Sequence, residues 1–146
     1  ELKNLGLHSC TLSFEMNLAQ IRDMSLGLDS QILIYGRFPL MITENCIARN
    51  EGKGCPCDGS PTRLLDKTGR AFPVMKEEYC RTPLYNSEPL WLADKLEELS
   101  RLDLRWLRMS FTTETAEEIE NILRAYAMGS TMPPRTTRGL YYRGVQ

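Results

Sequence analysis

Four of the five cysteines, Cys46, Cys55, Cys57 and Cys80, fall between residues 46 and 80, and the chain around the first three has no hydrophobic period. From Asn45 to Pro61 it is rich in Gly, Pro, Cys and charge, a loop that cannot order itself by burying an apolar face. Four thiolates at Cys-x8-Cys-x-Cys-x22-Cys spacing match the ligand number of a tetrahedral zinc or an iron–sulfur cluster. Ligation would supply the order that the loop cannot obtain from burial. The Cys-x-Cys step is tighter than the usual zinc knuckle and no histidine completes a mixed site, so reduced structural thiols are the alternative. An odd number of cysteines rules out complete pairing within one chain, and their clustering favours metal or redox chemistry over a secreted disulfide framework.

The segments on either side read as alternating strands and helices. Leu7 to Phe14 alternates as a short strand, and Asn17 caps a helix carrying Leu18, Ile21 and Met24 on one stripe until Gly27. Gln31 to Tyr35 is a continuous apolar run of the kind buried on both faces of a parallel sheet. Gly36 interrupts it, and Phe38 to Ile42 carries it on. Arg63 to Val74 is a hairpin around Asp66-Lys67-Thr68-Gly69. Ser87 to Leu99 is expected to be a helix, with early Pro89 and a Leu92, Leu96, Leu99 face. Leu104 to Phe111 is a further strand. Thr115 and Glu118 form a capping box for a helix with Ile119, Ile122, Leu123 and Tyr126 inward, closed by Gly129.

This order predicts one α/β domain or domain fragment over residues 1–146, built of parallel βα units, with a cysteine-rich insertion over about 45–82 that includes the hairpin. Three βα units are fewer than half of a closed eight-stranded barrel, so open sheet edges are expected, covered by an upstream part of the same protein, by a second copy or by the C-terminal tail. The start at Glu1 suits a piece of a longer protein, although processing of a precursor would also remove the initiator Met. A 42% hydrophobic, 25% charged composition suits a packed globular chain, and a formal net charge of −1 gives no global field for nucleic acid or anionic membrane. No apolar run approaches the roughly 20 residues of a membrane span. The reading is therefore cytoplasmic, without a membrane partner.

Candidate chemistry lies at the strand ends. Glu15 follows the first strand and Arg37 the second, the edge at which βα folds keep reactive groups. Arg37 and Arg81 would hold an anionic substrate group while a carboxylate, Glu15, moves a proton. Salt bridges are the alternative for these residues. Glu44 and Arg81 flank the cysteine loop. His8 and Cys10 share a strand face, a pairing explained more simply by packing than by a nucleophile. The tail from Thr136 to Gly144 mixes arginine and tyrosine, a combination that stacks on RNA, but its alternation favours an edge strand.

Several runs together resemble a known family. They are Ser13-Phe14-Glu15-Met16-Asn17-Leu18-Ala19-Gln20-Ile21, Tyr35-Gly36-Arg37-Phe38-Pro39-Leu40-Met41, Asp66-Lys67-Thr68-Gly69-Arg70-x-Phe72-Pro73-Val74, Cys80-Arg81, Tyr85-Asn86-Ser87, Thr137-Arg138-Gly139 and Tyr142-Arg143-Gly144-Val145. In order and spacing they resemble the collagenase-like peptidase family (peptidase family U-thirty-two), over nearly the whole chain. The resemblance implies the C-terminal portion of a TIM-like (βα) barrel catalytic domain and a hydrolase acting on protein or peptide. It also implies a second activity, since related members look like iron–sulfur proteins that hydroxylate RNA or ubiquinone precursors through a four-cysteine cluster. Cys46 and Cys80 match ligand positions best, with Cys55 or Cys57 as a third. The chain departs from the pattern at Leu40, where many members carry a cysteine, and the Cys55, Cys57 pair restores four. No Ser-His-Asp set, zinc-protease motif or aspartic dyad is visible, so the peptidase reading rests on the resemblance. A third reading is a metal-stapled, non-catalytic binding module.

Overall fold

The computed structural model describes residues 2–24, 27–44, 62–75 and 81–143. They divide into two compact units, one of Glu1–Gly36 with Pro89–Gln146 and one of Arg37–Glu88. In chain order the strands and helices are β1 (Ser9–Thr11), α1 (Leu18–Arg22), β2 (Asp29–Gly36), β3 (Pro39–Thr43), β4 (Thr62–Leu65), β5 (Ala71–Val74), β6 (Thr82–Tyr85), β7 (Leu90–Trp91), α2 (Leu96–Leu99), β8 (Trp106–Met109) and α3 (Ala116–Ala127).

The first unit is organised on β2, the longest strand and the one paired along both edges. One edge takes β1 in parallel register, Cys10 against Ser30, and β7 in antiparallel register, Tyr35 against Trp91. The other takes β8 in parallel register from Gln31 against Trp106 to Tyr35 against Met109. A strand so enclosed must be apolar, and Ile32, Ile34 and Tyr35 are buried. Both long-range helix starts follow from local chemistry. Asn17 and Gln20 exchange side-chain and backbone bonds of 2.9 Å at the start of α1. Thr115 and Glu118 do the same at α3, where the Thr115 N–H donates to Glu118 Oε2 at 2.7 Å. Tyr126 of α3 then reaches the sheet: its hydroxyl donates to the Ile34 carbonyl at 2.6 Å and accepts from the Leu92 N–H at 2.9 Å. Ile32, Leu90, Leu92, Leu99 and Tyr141 complete a core with essentially no exposure. Burial of each such side chain is worth about 1.5–3 kcal/mol.

The barrel expectation is overturned. The protein is mixed α/β with two β-sheets and more strand than helix: β7 runs antiparallel to β2, and the second sheet, ordered β3-β6-β5-β4, is antiparallel throughout. Two local events redirect the chain. Gly36 adopts φ 137°, and a Cβ there would lie 2.5 Å from the Ser110 carbonyl oxygen, so only glycine fits this close approach. Beyond it Phe38 to Ile42 does not prolong β2 but forms β3 of the other sheet. The helix expected from Ser87 also fails. Leu90, Trp91, Leu92 and Ala93 are four consecutive buried residues. A helix would turn part of such a run away from the core, whereas β7 pairs its first two residues with the end of β2 and a 3-10 turn at Ala93–Lys95 follows. Only the last turn of the expected helix survives, as α2.

The C-terminal segment is neither the expected edge strand nor a free basic strip. It contributes a single bridge, Thr137 to Leu90, and is otherwise fixed by side chains. Arg138 makes a bidentate pair with Asp94, at 2.5 and 2.7 Å, and also donates to the Trp91 carbonyl. Tyr141 is fully buried, and the Tyr142 hydroxyl donates to Glu98 at 2.7 Å. Among the described residues no helix is long and apolar enough to cross a membrane.

In the second unit the hairpin is local in origin. The Asp66 carboxylate accepts from the Thr68 N–H, the Thr68 hydroxyl and the Arg70 N–H within 2.9 Å, closing the turn that joins β4 to β5. These bonds hold the Asp66 carboxyl below its ordinary range, the Thr68 hydroxyl contributing most.

Candidate functional site

The cysteines Cys46, Cys55, Cys57 and Cys80 lie outside the described residues, but the strands that lead to them do not. In the second sheet Thr43, the last residue of β3, is in register with Thr82, the first of β6. Val74, the last residue of β5, pairs with both Leu84 of β6 and Thr62, the first residue of β4, and the Met75 N–H donates to the Pro83 carbonyl at 3.1 Å. The C-terminal ends of β3 and β5 and the N-terminal ends of β4 and β6 therefore share one end of the sheet. Cys46 follows Thr43 by three residues, Cys80 precedes Thr82 by two, and Cys57 and Cys55 precede Thr62 by five and seven. At no more than about 3.5 Å per residue, Cys46 has a reach of about 10 Å from its strand end and Cys80 about 7 Å. Neighbouring strands are about 4.8 Å apart, so chain length allows all four thiols a common point beyond this end.

The residues expected at the strand ends fall in both units. Glu15 sits in the turn after β1, exposed, with its backbone N–H donating to Ser13 Oγ at 3.2 Å. It belongs to the first unit and Arg37 to the second. Arg37 is partly buried just before β3. Its Nη1 donates to the Asn86 and Ser87 carbonyls, at 3.0 and 2.5 Å, while its buried Nε has no hydrogen-bond partner. With the Asn86 N–H donating to the Phe38 carbonyl, this closes the end of the β3–β6 pair remote from the cysteines. Arg81 is exposed at the cysteine end, beside exposed Glu44. Arg37 and Arg81 thus occupy opposite ends of one strand pair, roughly 15 Å apart along a five-residue strand, and do not form a joint anion clamp. His8 is exposed, and the half-buried Cys10 thiol lies 3.9 Å from Ser30 Oγ, the packing role expected of it.

Other polar constellations were not apparent in the sequence because they join distant positions. The Tyr35 hydroxyl donates to Glu114 Oε1 at 2.9 Å, and Glu114 Oε2 accepts the Thr112 and Thr113 N–H groups, so this carboxylate ties β2 to the loop after β8. The Arg138 guanidinium holds the Asp94 carboxyl below the usual range, while burial pushes the Tyr126 hydroxyl up to about 12. A groove of about 810 Å³ opens at the N-terminal end of β2 between Lys3, His8, Asp29, Asp103 and Arg105, and it includes none of Glu15, Arg37 and Arg81. Among the described residues no group of three or more His, Cys, Asp or Glu side chains is placed to hold a metal. Comparisons with family models, curated proteins and solved structures find no match to this chain.

Proposed function

We propose that Arg37–Glu88 is a four-cysteine metal module, with Cys46, Cys55, Cys57 and Cys80 as its ligands, inside an enzyme of the collagenase-like peptidase type. The observation that carries this reading is the convergence of four strand ends on one end of the second sheet, each leading to a cysteine within seven residues. An iron–sulfur cluster or a zinc ion would be held there by thiolates. Arg81, exposed at the same end, is the cation best placed to meet an anionic substrate. Glu15 in the first unit and Arg37 in the second remain the proposed catalytic residues. Thiolate ligation fits a cytoplasmic protein, whose compartment keeps cysteines reduced.

Two activities fit a protein of this type. Peptide hydrolysis follows from the family resemblance. Cluster-dependent hydroxylation of RNA or a small aromatic is favoured by the four-thiol count, which a hydrolase does not require. Purification without oxygen, followed by visible absorption and metal analysis, separates them. Absorbance near 400 nm with iron, lost in Cys46→Ser and Cys80→Ser, supports the cluster. Zinc without colour supports a structural site in a peptidase or a non-catalytic module, and cleavage of a labelled peptide then decides between these. Neither metal in protein that retains all four thiols would end the proposal.

A further inference from the structure

We propose that the outer edge of β8 is a self-association surface, through which two copies of the chain pair their β8 strands antiparallel about a two-fold axis. Among the described residues β8 pairs with β2 alone, which leaves its other edge open. The Ser110 N–H donates inward to the Tyr35 carbonyl at 2.9 Å, and the register of Ile32 with Leu107, with Ser30 and Ile32 facing β8, makes Trp106 and Arg108 the residues bonded to β2. The alternation of a strand then turns the backbone N–H and C=O groups of Leu107 and Met109 outward. An unpaired row of this kind is complementary to another strand.

Natural edges are blunted by charge, and Arg108 is exposed on this one. Its effect depends on register. With Leu107 on the two-fold axis facing its own copy, Trp106 of each chain lies opposite Arg108 of the other. The outward backbone groups of the two Leu107 residues then bond each other, and each guanidinium lies over an indole that is 45% exposed in the single chain. Centring the pair on Arg108 instead would oppose like charges. The same face is thus self-complementary in one register and repulsive in its neighbour, which selects a second copy as the occupant. Strand β3 is also open along one edge, but it continues directly into residues outside the described set. A four-residue pairing buries less than the roughly 800 Å² per partner of a standard interface, so the dimer is weak.

Sedimentation equilibrium of the full chain from about 10 µM to 1 mM spans the range of such an interface. A monomer–dimer equilibrium is expected for the parent. Leu107→Pro removes an outward N–H without breaking a bond to β2, and is expected to abolish the dimer while leaving the circular dichroism spectrum unchanged. Arg108→Glu is expected to weaken association by roughly fivefold, the loss of the guanidinium–indole contacts, and decides the matter if the proline variant does not fold. Ile42→Ser on β3 is expected to leave association unaltered. A parent that stays monomeric throughout, a folded Leu107→Pro chain that still dimerises, or a dimer lost in Ile42→Ser would each overturn the proposal.

Discussion

In the unit built on β2, Ile32, Leu90, Leu92, Leu99 and Tyr141 are sealed from solvent, and the buried Tyr126 hydroxyl ties helix to sheet. In Arg37–Glu88, by contrast, Phe38, Val74, Thr82 and Pro83 are buried, while Leu40, Met41, Ile42 and Leu65 are more than half exposed. One unit has a hydrophobic core sufficient to account for its order. The other has, among the described residues, four short strands and a hairpin closed by one aspartate, little for a sheet of this size. It is also the unit that carries four cysteines, and the proposed ligation would supply there what the first unit obtains from burial.

The largest expected effect in folding the first unit comes from its centre. Ile32→Ala should cost about 2–5 kcal/mol in denaturant unfolding, whereas Ile42→Ala, at a position 58% exposed, should stay within about 0.5 kcal/mol. Equal losses would erase the distinction between the units. Gly36→Ala should be comparable to the core deletion, since both the Ser110 carbonyl and the positive φ oppose a side chain, and a stability within about 1 kcal/mol of the parent would contradict that close approach.

Next in size is Tyr126. Tyr126→Phe leaves the Leu92 N–H and Ile34 carbonyl unpaired and should cost about 1–3 kcal/mol. The same hydroxyl gives a pH signature. Its folded pKa, about 12 against 10 unfolded, favours the protonated form, so its contribution is complete below pH 10 and is lost as pH rises from 10 through 12. That alkaline loss should be absent from Tyr126→Phe. The smallest effect is at the helix start: Thr115→Ala should cost about 1 kcal/mol by unfolding of the cap it shares with Glu118.

What was legible in the sequence was local. Asn17 and Thr115 act within four residues, as does the Asp66 turn, so their signals survive in any context. What misled was the register between distant segments. Helical spacing at Leu92, Leu96 and Leu99 is real, but pairing of Leu90 and Trp91 with the end of β2 overrides it at the start of that segment. The βα order suggested a barrel because nothing local announces that the chain leaves the first sheet at Gly36 and that β7 returns antiparallel. The site followed the same division. The cysteine cluster was visible as composition, but that the strands leading to it share one end of the sheet depends on the pairing of Thr43 with Thr82 and of Val74 with Thr62. Arg37 and Arg81 seemed joined by their strand-end positions and are separated by the length of β3.

Amide hydrogen exchange of the full chain, followed by mass spectrometry before and after removal of bound metal with a chelator, tests most directly whether ligation holds the second unit together. Metal removal should speed exchange in β3 to β6, most strongly at the end marked by Thr43, Thr62, Val74 and Thr82, and leave the protection of Ile32 to Tyr35 and of α3 unchanged. Equal exchange of Arg37–Glu88 with and without metal, or a loss spread evenly over both units, would contradict it.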